Sequence, residues 1–248
     1  MSDYFREFPK VFYKFGSNET PVYFQKLSKY VDVVDSLKEA VSAYLEYEIN
    51  DFDRPDTLSY KLYGKSEYEW TFFLMNERLR ECGWPMTQQA AYEYGVNEAY
   101  TGYVATLDVS TVDSAASLAS IFTAGTTMSL TGGKTAVVEK QDLMNRQIYL
   151  TSDSDITSSV ALVATLTDLN PALNVIFQNI VYEYNANHHY VNDSDEWVDY
   201  FSDDAFKTPV TNLEHLINEN DKSKRIRIIK KQNIESVVSE FKRMVAIN

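Results

Sequence analysis

A single cysteine, Cys82, stands in 248 residues, so an internal disulfide and a cysteine-based zinc cluster are both excluded. No stretch approaches the ~18 consecutive apolar residues that read as a membrane-spanning helix. The opening residues, MSDYFREFPK, lack the apolar core of a secretory signal. The expectation is a protein made and kept in a reducing cytoplasm. Positive charge is also in short supply: 23 Lys and Arg stand against 36 Asp and Glu, for a formal net charge of −13. Such a field disfavours nucleic acid and anionic membranes, because phosphate binding needs concentrated Lys and Arg.

Aromatic side chains are plentiful. The chain carries 18 Tyr and 13 Phe, a density that suits large packed interfaces as well as cores. The most organised segment is Arg54 to Asn76, RPDTLSYKLYGKSEYEWTFFLMN. Arg54-Pro55-Asp56-Thr57 reads as a helix start, with Asp56 or Thr57 accepting bonds from first-turn N–H groups. Leu58 and Leu62 share one face, and Tyr63-Gly64 ends the helix at the residue best suited to positive φ. Ser66-Glu67-Tyr68-Glu69 matches a capping box. Trp70, Phe73 and Leu74 then form an i, i+3, i+4 stripe, flanked by Tyr68 and Phe72.

Tyr44 to Ile49 alternates apolar and acidic residues, the period of a half-buried strand. Its best partner is Arg225-Ile226-Arg227-Ile228-Ile229, whose basic side chains face Glu46 and Glu48 in an antiparallel ladder. The expected result is a β-α-α-β unit whose second strand is separated from its helices by an insertion.

Four regions follow along the chain. Residues 1–35 read as an extended aromatic arm containing Phe5, Phe8, Val11, Phe12, Tyr13 and Phe15. Residues 36–99 form the first part of the core, with a helix over Asp35–Ala43 and another after Thr87, stopped by Gly95. Residues 100–179 are rich in Ser and Thr and poor in charge, with β-type runs at 103–109, 126–130, 135–139, 147–151 and 160–166, and one helix near Ala115–Phe122. That is an inserted, mostly-β accessory domain. Residues 180–248 supply a Tyr-rich acidic connection, a helix over Asn212–Asn220, the basic strand and a final helix. Asn233 caps that helix, whose Ile234, Val237, Val238, Phe241 and Val245 make one apolar stripe.

The chemical candidates are weak. Thr131-Gly132-Gly133-Lys134-Thr135 looks like a phosphate loop but has Met128 where the motif needs glycine and is followed by a β-like run, so it reads as a hairpin turn. His188 and His189 are adjacent and point to opposite faces of a regular strand, and no His-Glu-x-x-His pattern occurs. They read as surface residues beside an acidic run, and His215 has no identifiable partner. Cys82 lacks an activating base and reads as a structural thiol. No motif marks a carboxylate pair for glycoside hydrolysis. Lys222, Lys224, Arg225, Arg227, Lys230 and Lys231 form either a solvated strand face or a surface for an acidic neighbour, where Arg offers bidentate contacts. Tyr63 and Trp70 read as core aromatics rather than sugar-stacking platforms.

The spacing Arg54-Pro55, Leu58, Tyr63-Gly64, Trp70, Asn76, Gly83-Trp84 and the Gln88–Tyr92 run resembles the LysM-like baseplate wedge proteins of T-even-type contractile-tailed phages. The ENDKSKRIRIIKK segment, Glu219–Lys231, is similar to that family's basic C-terminal strand. The resemblance covers about the first 95 and the last 70 residues. It implies an α+β fold with a LysM-like β-α-α-β core built from two separated segments, with Pro55, Leu58, Tyr63, Gly64, Trp70, Asn76 and Trp84 defining the fold. It also implies a non-enzymatic structural component of the virion tail baseplate, assembled in the host cytoplasm. Such a protein joins wedge subunits and ties neighbouring wedges around the hub. Candidate partner contacts are Phe8, Phe12, Lys224, Arg225, Arg227, Lys230 and Phe241. No cofactor, metal, nucleic acid, membrane or small-molecule substrate is expected. The alternative is a LysM-type module binding peptidoglycan or another glycan; a cell-wall hydrolase ranks below it.

Overall fold

The structure, a computed structural model, describes residues 10–14, 20–25, 44–108, 121–142, 145–158, 162–166, 173–198 and 206–246. Among the described residues the elements are, in order, strands β1 (Lys10–Tyr13), β2 (Val22–Gln25) and β3 (Tyr44–Glu48), then helices α1 (Pro55–Tyr63), α2 (Trp70–Met75), α3 (Glu77–Cys82) and α4 (Gln88–Tyr94). Six strands follow: β4 (Tyr103–Leu107), β5 (Thr127–Leu130), β6 (Lys134–Asp142), β7 (Gln147–Thr151), β8 (Leu162–Leu166) and β9 (Leu173–Tyr182). Short strands β10 (Asn187–Val191), β11 (Trp197–Val198) and β12 (Thr208–Thr211) lead to helix α5 (Asn212–Lys222). Strand β13 (Arg225–Ile229) and helix α6 (Ile234–Ala246) complete the elements among the described residues. The helix expected over Asp35–Ala43, most of the one near Ala115–Phe122, and Phe8 lie outside the described residues.

Contacts divide the chain into two units, Met1–Thr87 with Asn220–Asn248, and Gln88–Glu219. The second unit is wider than the expected 100–179 insertion: it takes in α4 and the segment after β9.

In the first unit β13 pairs antiparallel with β3, Arg225 opposite Glu48 and Arg227 opposite Glu46. Ile226 and Ile228 point inward and are buried with Leu58, Phe72, Leu74 and Leu79 from the helices. Each such side chain contributes about 1.5–3 kcal/mol on burial, against ~0.2–1 kcal/mol for a cross-strand charge pair. The isoleucines therefore set the register and the arginines follow it. Helix α6 lays Ile234, Val237, Val238 and Phe241 into the same core.

Helix α1 starts earlier than expected. Pro55 occupies its first turn, where a missing N–H costs nothing. The Thr57 hydroxyl accepts from the Arg54 N–H at 3.1 Å and donates to the Arg54 carbonyl at 3.0 Å. Gly64 closes the helix at φ 79°. The capping box expected at Ser66 does not form: Ser66–Tyr68 is a 3-10 turn preceding α2, and its cap position is Lys65 without a side-chain bond.

In the second unit β4-β7-β6-β5-β8-β9 close into a six-stranded antiparallel barrel. Alternation puts Ala105, Leu107, Met128, Leu130, Ala136, Val138, Ile148, Leu150, Ala164, Leu166, Val175 and Phe177 inside. Closure needs local bending, which register shifts between Thr106/Leu107 and Val138/Lys140 provide. The Thr131-Gly132-Gly133 segment is the β5–β6 hairpin turn, with both glycines at positive φ. Helix α4 is not stopped by Gly95: the chain continues as a π-helical turn, Gly95–Ala99. A Cβ at Gly95 would lie 2.6 Å from the Leu213 Cδ1. That glycine is there for close packing rather than termination.

Candidate docking surfaces and a histidine cluster

The residues expected to define the fold meet in the first unit. The Tyr63 hydroxyl donates to the Ile229 carbonyl at 3.0 Å, tying α1 to β13. Burial pushes the Tyr63 phenol up to about 12. Trp70 lies 4.8 Å from Phe241, ring centre to ring centre. The Trp84 indole N–H donates to the Asp53 carbonyl at 2.7 Å. Asn76 acts as a bracket. Its Nδ2 donates to the carbonyls of Phe72 at 2.8 Å and Arg227 at 2.9 Å, and its Oδ1 accepts the Arg227 N–H at 2.8 Å. The amide thus caps α2 and occupies the free edge of β13, where an unpaired strand invites adventitious pairing.

Of the expected contact residues, Phe241 is internal and Lys224 is half-buried within an ion-pair cluster. Phe241 is only 2 % exposed, because α6 completes the core of its own unit instead of standing free. Lys224 is enclosed by carboxylates, with Asp51 at 2.7 Å and Asp221 at 2.9 Å. Arg225 and Arg227 are exposed and Lys230 is half-buried. The Arg227 guanidinium sits 4.9 Å from the Tyr44 ring centre, so the outer sheet face presents cation, aromatic and acid together. Tyr63 and Trp70 are each 8 % exposed and offer no stacking surface.

The aromatic arm contains a hairpin, β1 with β2. Phe12 packs edge-on against Tyr23 at 4.2 Å, and Tyr13 faces Phe24 at 6.5 Å. All four rings are exposed, Phe12 at 59 %.

The sequence reading missed Phe52, which is 91 % exposed. It tips a turn closed by the Asp53 N–H donating to the Asn50 carbonyl at 3.0 Å. The Asp53 carboxylate accepts from the Asn50 N–H, the Asn50 Nδ2 and the Tyr47 hydroxyl, at 3.2, 3.0 and 3.2 Å. Burial pushes this carboxyl up, but the bonds from Asn50, the Lys61 charge and the Tyr47 hydroxyl outweigh it and hold Asp53 below its ordinary value. The available signal was an aromatic set inside Asn-Asp-Phe-Asp, a turn-forming run. Cys82, read as a structural thiol, is exposed at the end of α3.

In the second unit the histidines depart from expectation. A register shift between Asn187 and His189 in the β10–β12 ladder breaks the alternation of a regular strand. His188 and His189 therefore do not diverge: their Nδ1 atoms are 2.9 Å apart. His215, from the second turn of α5, stacks on His188 with ring centres 3.8 Å apart and planes 12° from parallel. Trp197 of β11 covers His189 at 4.1 Å. Each histidine offers a nitrogen within 4.8 Å of the other two, and all three are half-buried.

Residues 8–105 match the family model described as base plate wedge protein 53, about two fifths of the chain. The matched span runs from the aromatic hairpin through α1–α4 into β4, and the basic strand and α6 lie outside it. No curated protein matches the chain. The family match supports a structural role in a phage tail baseplate.

Proposed function

We propose that this chain is a baseplate wedge subunit that joins wedge proteins and ties neighbouring wedges together around the hub by docking at several sites, without catalysis. The observation that carries this reading is the coincidence of the matched span with the exposed aromatic elements. A two-stranded hairpin alone is marginal in water, so β1–β2 with four exposed rings gains stability on a partner. Phe52, held out on a turn fixed by Asp53 and Trp84, is an anchor whose conformational cost is met before binding. Arg225 and Arg227 supply directional contacts to a carboxylate-bearing neighbour.

The β3-α1-α2-β13 arrangement, with both helices between its paired strands in sequence, is read as a LysM-like core put to assembly. Co-expression with the wedge proteins encoded nearby, followed by sizing, tests the reading. A complex containing this chain is expected, and F52A, the pair F12A/Y23A and the pair R225A/R227A each weaken it by about tenfold or more, the ~1.4 kcal/mol that one good anchor exceeds. Retention on insoluble peptidoglycan with no co-assembly would overturn it in favour of a glycan-binding module.

A further inference from the structure

We propose that His188, His189 and His215 form a binding site for one first-row divalent cation of the zinc class, clipping β10 to α5 in the second unit. The chain has three histidines in all, and every one of them is in this cluster. They come from two elements, and the β10 bulge that aims His188 and His189 together interrupts an otherwise regular ladder. Bulges of this kind re-aim side chains.

A hydrogen bond between the two Nδ1 atoms accounts for the adjacent pair alone. It leaves unexplained a third imidazole, brought in on a different element to within 4.8 Å. A tetrahedral centre with Zn–N bonds of about 2.0–2.1 Å places its ligands about 3.3 Å apart. The His188–His189 nitrogens are already slightly closer than that, at 2.9 Å. The stacked His215 ring must turn out of parallel so that its in-plane lone pair converges on the same point, a side-chain torsion with no backbone change.

Three neutral imidazoles with a water in the fourth position are a donor set for zinc, cobalt, nickel or copper, and exclude the oxygen-seeking magnesium and calcium. The surroundings favour a cation. Burial, then the neighbouring His215 and His189, disfavour protonation of His188, while the carboxylates of Asp142 and Glu219 act in the opposite sense, toward positive charge. Trp197 walls one side against solvent. Ligation here replaces ring stacking with a cross-link between strand and helix, so the bound metal stabilises the unit.

The full chain, stripped with a chelator, is titrated with Co²⁺ and then Zn²⁺. One Co²⁺ per chain is expected, with the intense visible bands of a tetrahedral nitrogen-ligated centre, bleached by one equivalent of Zn²⁺. H188Q and H215Q each lower affinity on the order of 100-fold, at least as much as loss of a supporting residue around a metal. Because either variant could disturb folding, the native protein gives a second reading: its three imidazole Hε1 resonances are the only histidine signals, and stoichiometric Zn²⁺ should shift all three together. Imidazole signals unmoved by Zn²⁺, or Co²⁺ binding unaltered in H188Q and H215Q, would overturn the proposal. Neither readout depends on baseplate assembly.

Discussion

Asn76 shows how much one side chain can settle. Its amide satisfies the end of α2 and both backbone groups of Arg227, bonds that a hydroxyl or an apolar side chain cannot reproduce as a set. Asn76→Ala is expected to destabilise the first unit by about 1–3 kcal/mol, from roughly 1 kcal/mol per bond with partial replacement by water. Urea unfolding followed by tryptophan fluorescence measures it. Asn76→Asp keeps the acceptor for the Arg227 N–H but loses both donations, so it should fall between wild type and alanine. Tyr63 offers a complementary test at high pH. Its folded proton affinity is raised to about 12 from an ordinary 10, as is that of Tyr149 in the second unit, each chiefly by burial. The stabilisation that follows from this is complete below pH 10 and disappears as pH climbs toward 12. Absorbance titration of the phenols should show a late-ionising group, and Tyr63→Phe with Tyr149→Phe should abolish it.

At the level of elements, the Asn50–Asp53 turn carries a dependence of opposite sense. Asp53 is held below 3.8, so its contribution is present above that value and declines as pH falls through the lower folded value. Acid should loosen the turn that displays Phe52, and Asp53→Asn should make the turn's order independent of pH between 2 and 5, as read from amide exchange at Phe52 and Asp53. The sequence made several elements legible because period and punctuation agreed in them. The alternation of β3 and β13 led to their pairing, and the apolar stripe of α6 to its amphipathic face. The barrel strands β4 to β8 were visible as runs between turns, but β9, the longest, was not: its Asn174, Gln178 and Asn179 interrupt the apolar pattern. The histidine cluster was illegible for a sharper reason. A bulge changes the face of every residue beyond it, and nothing in Asn-His-His-Tyr announces that shift. The burial of Phe241 and the ion pairing of Lys224 within its own unit were not legible, because an amphipathic stripe and a basic run look the same whether they meet their own unit or another molecule.

As a whole molecule the chain joins a continuous unit to a discontinuous one. The barrel and its neighbouring strands are encoded in a single stretch, with a core of their own. Residues 88–219 expressed alone are expected to fold, giving a dispersed amide spectrum and cooperative thermal unfolding. Residues 1–87 alone lack β13 and α6, and with them Ile226, Ile228, Val237, Val238 and Phe241. Losing five side chains each worth about 1.5–3 kcal/mol removes as much as the usual total stability of a small domain, so that fragment should remain unfolded by circular dichroism until residues 220–248 are supplied.

That division has a consequence for biosynthesis. At ~5–20 residues per second, a ribosome needs roughly 10–35 s to travel from β3 to β13, during which the nascent aromatic helices have no second strand to close on. A polypeptide released between Glu219 and β13 carries a finished barrel but an unfinished N-terminal body. The first unit therefore closes its core, and displays the Phe52 turn on a finished body, only after residues 220–248 have been translated.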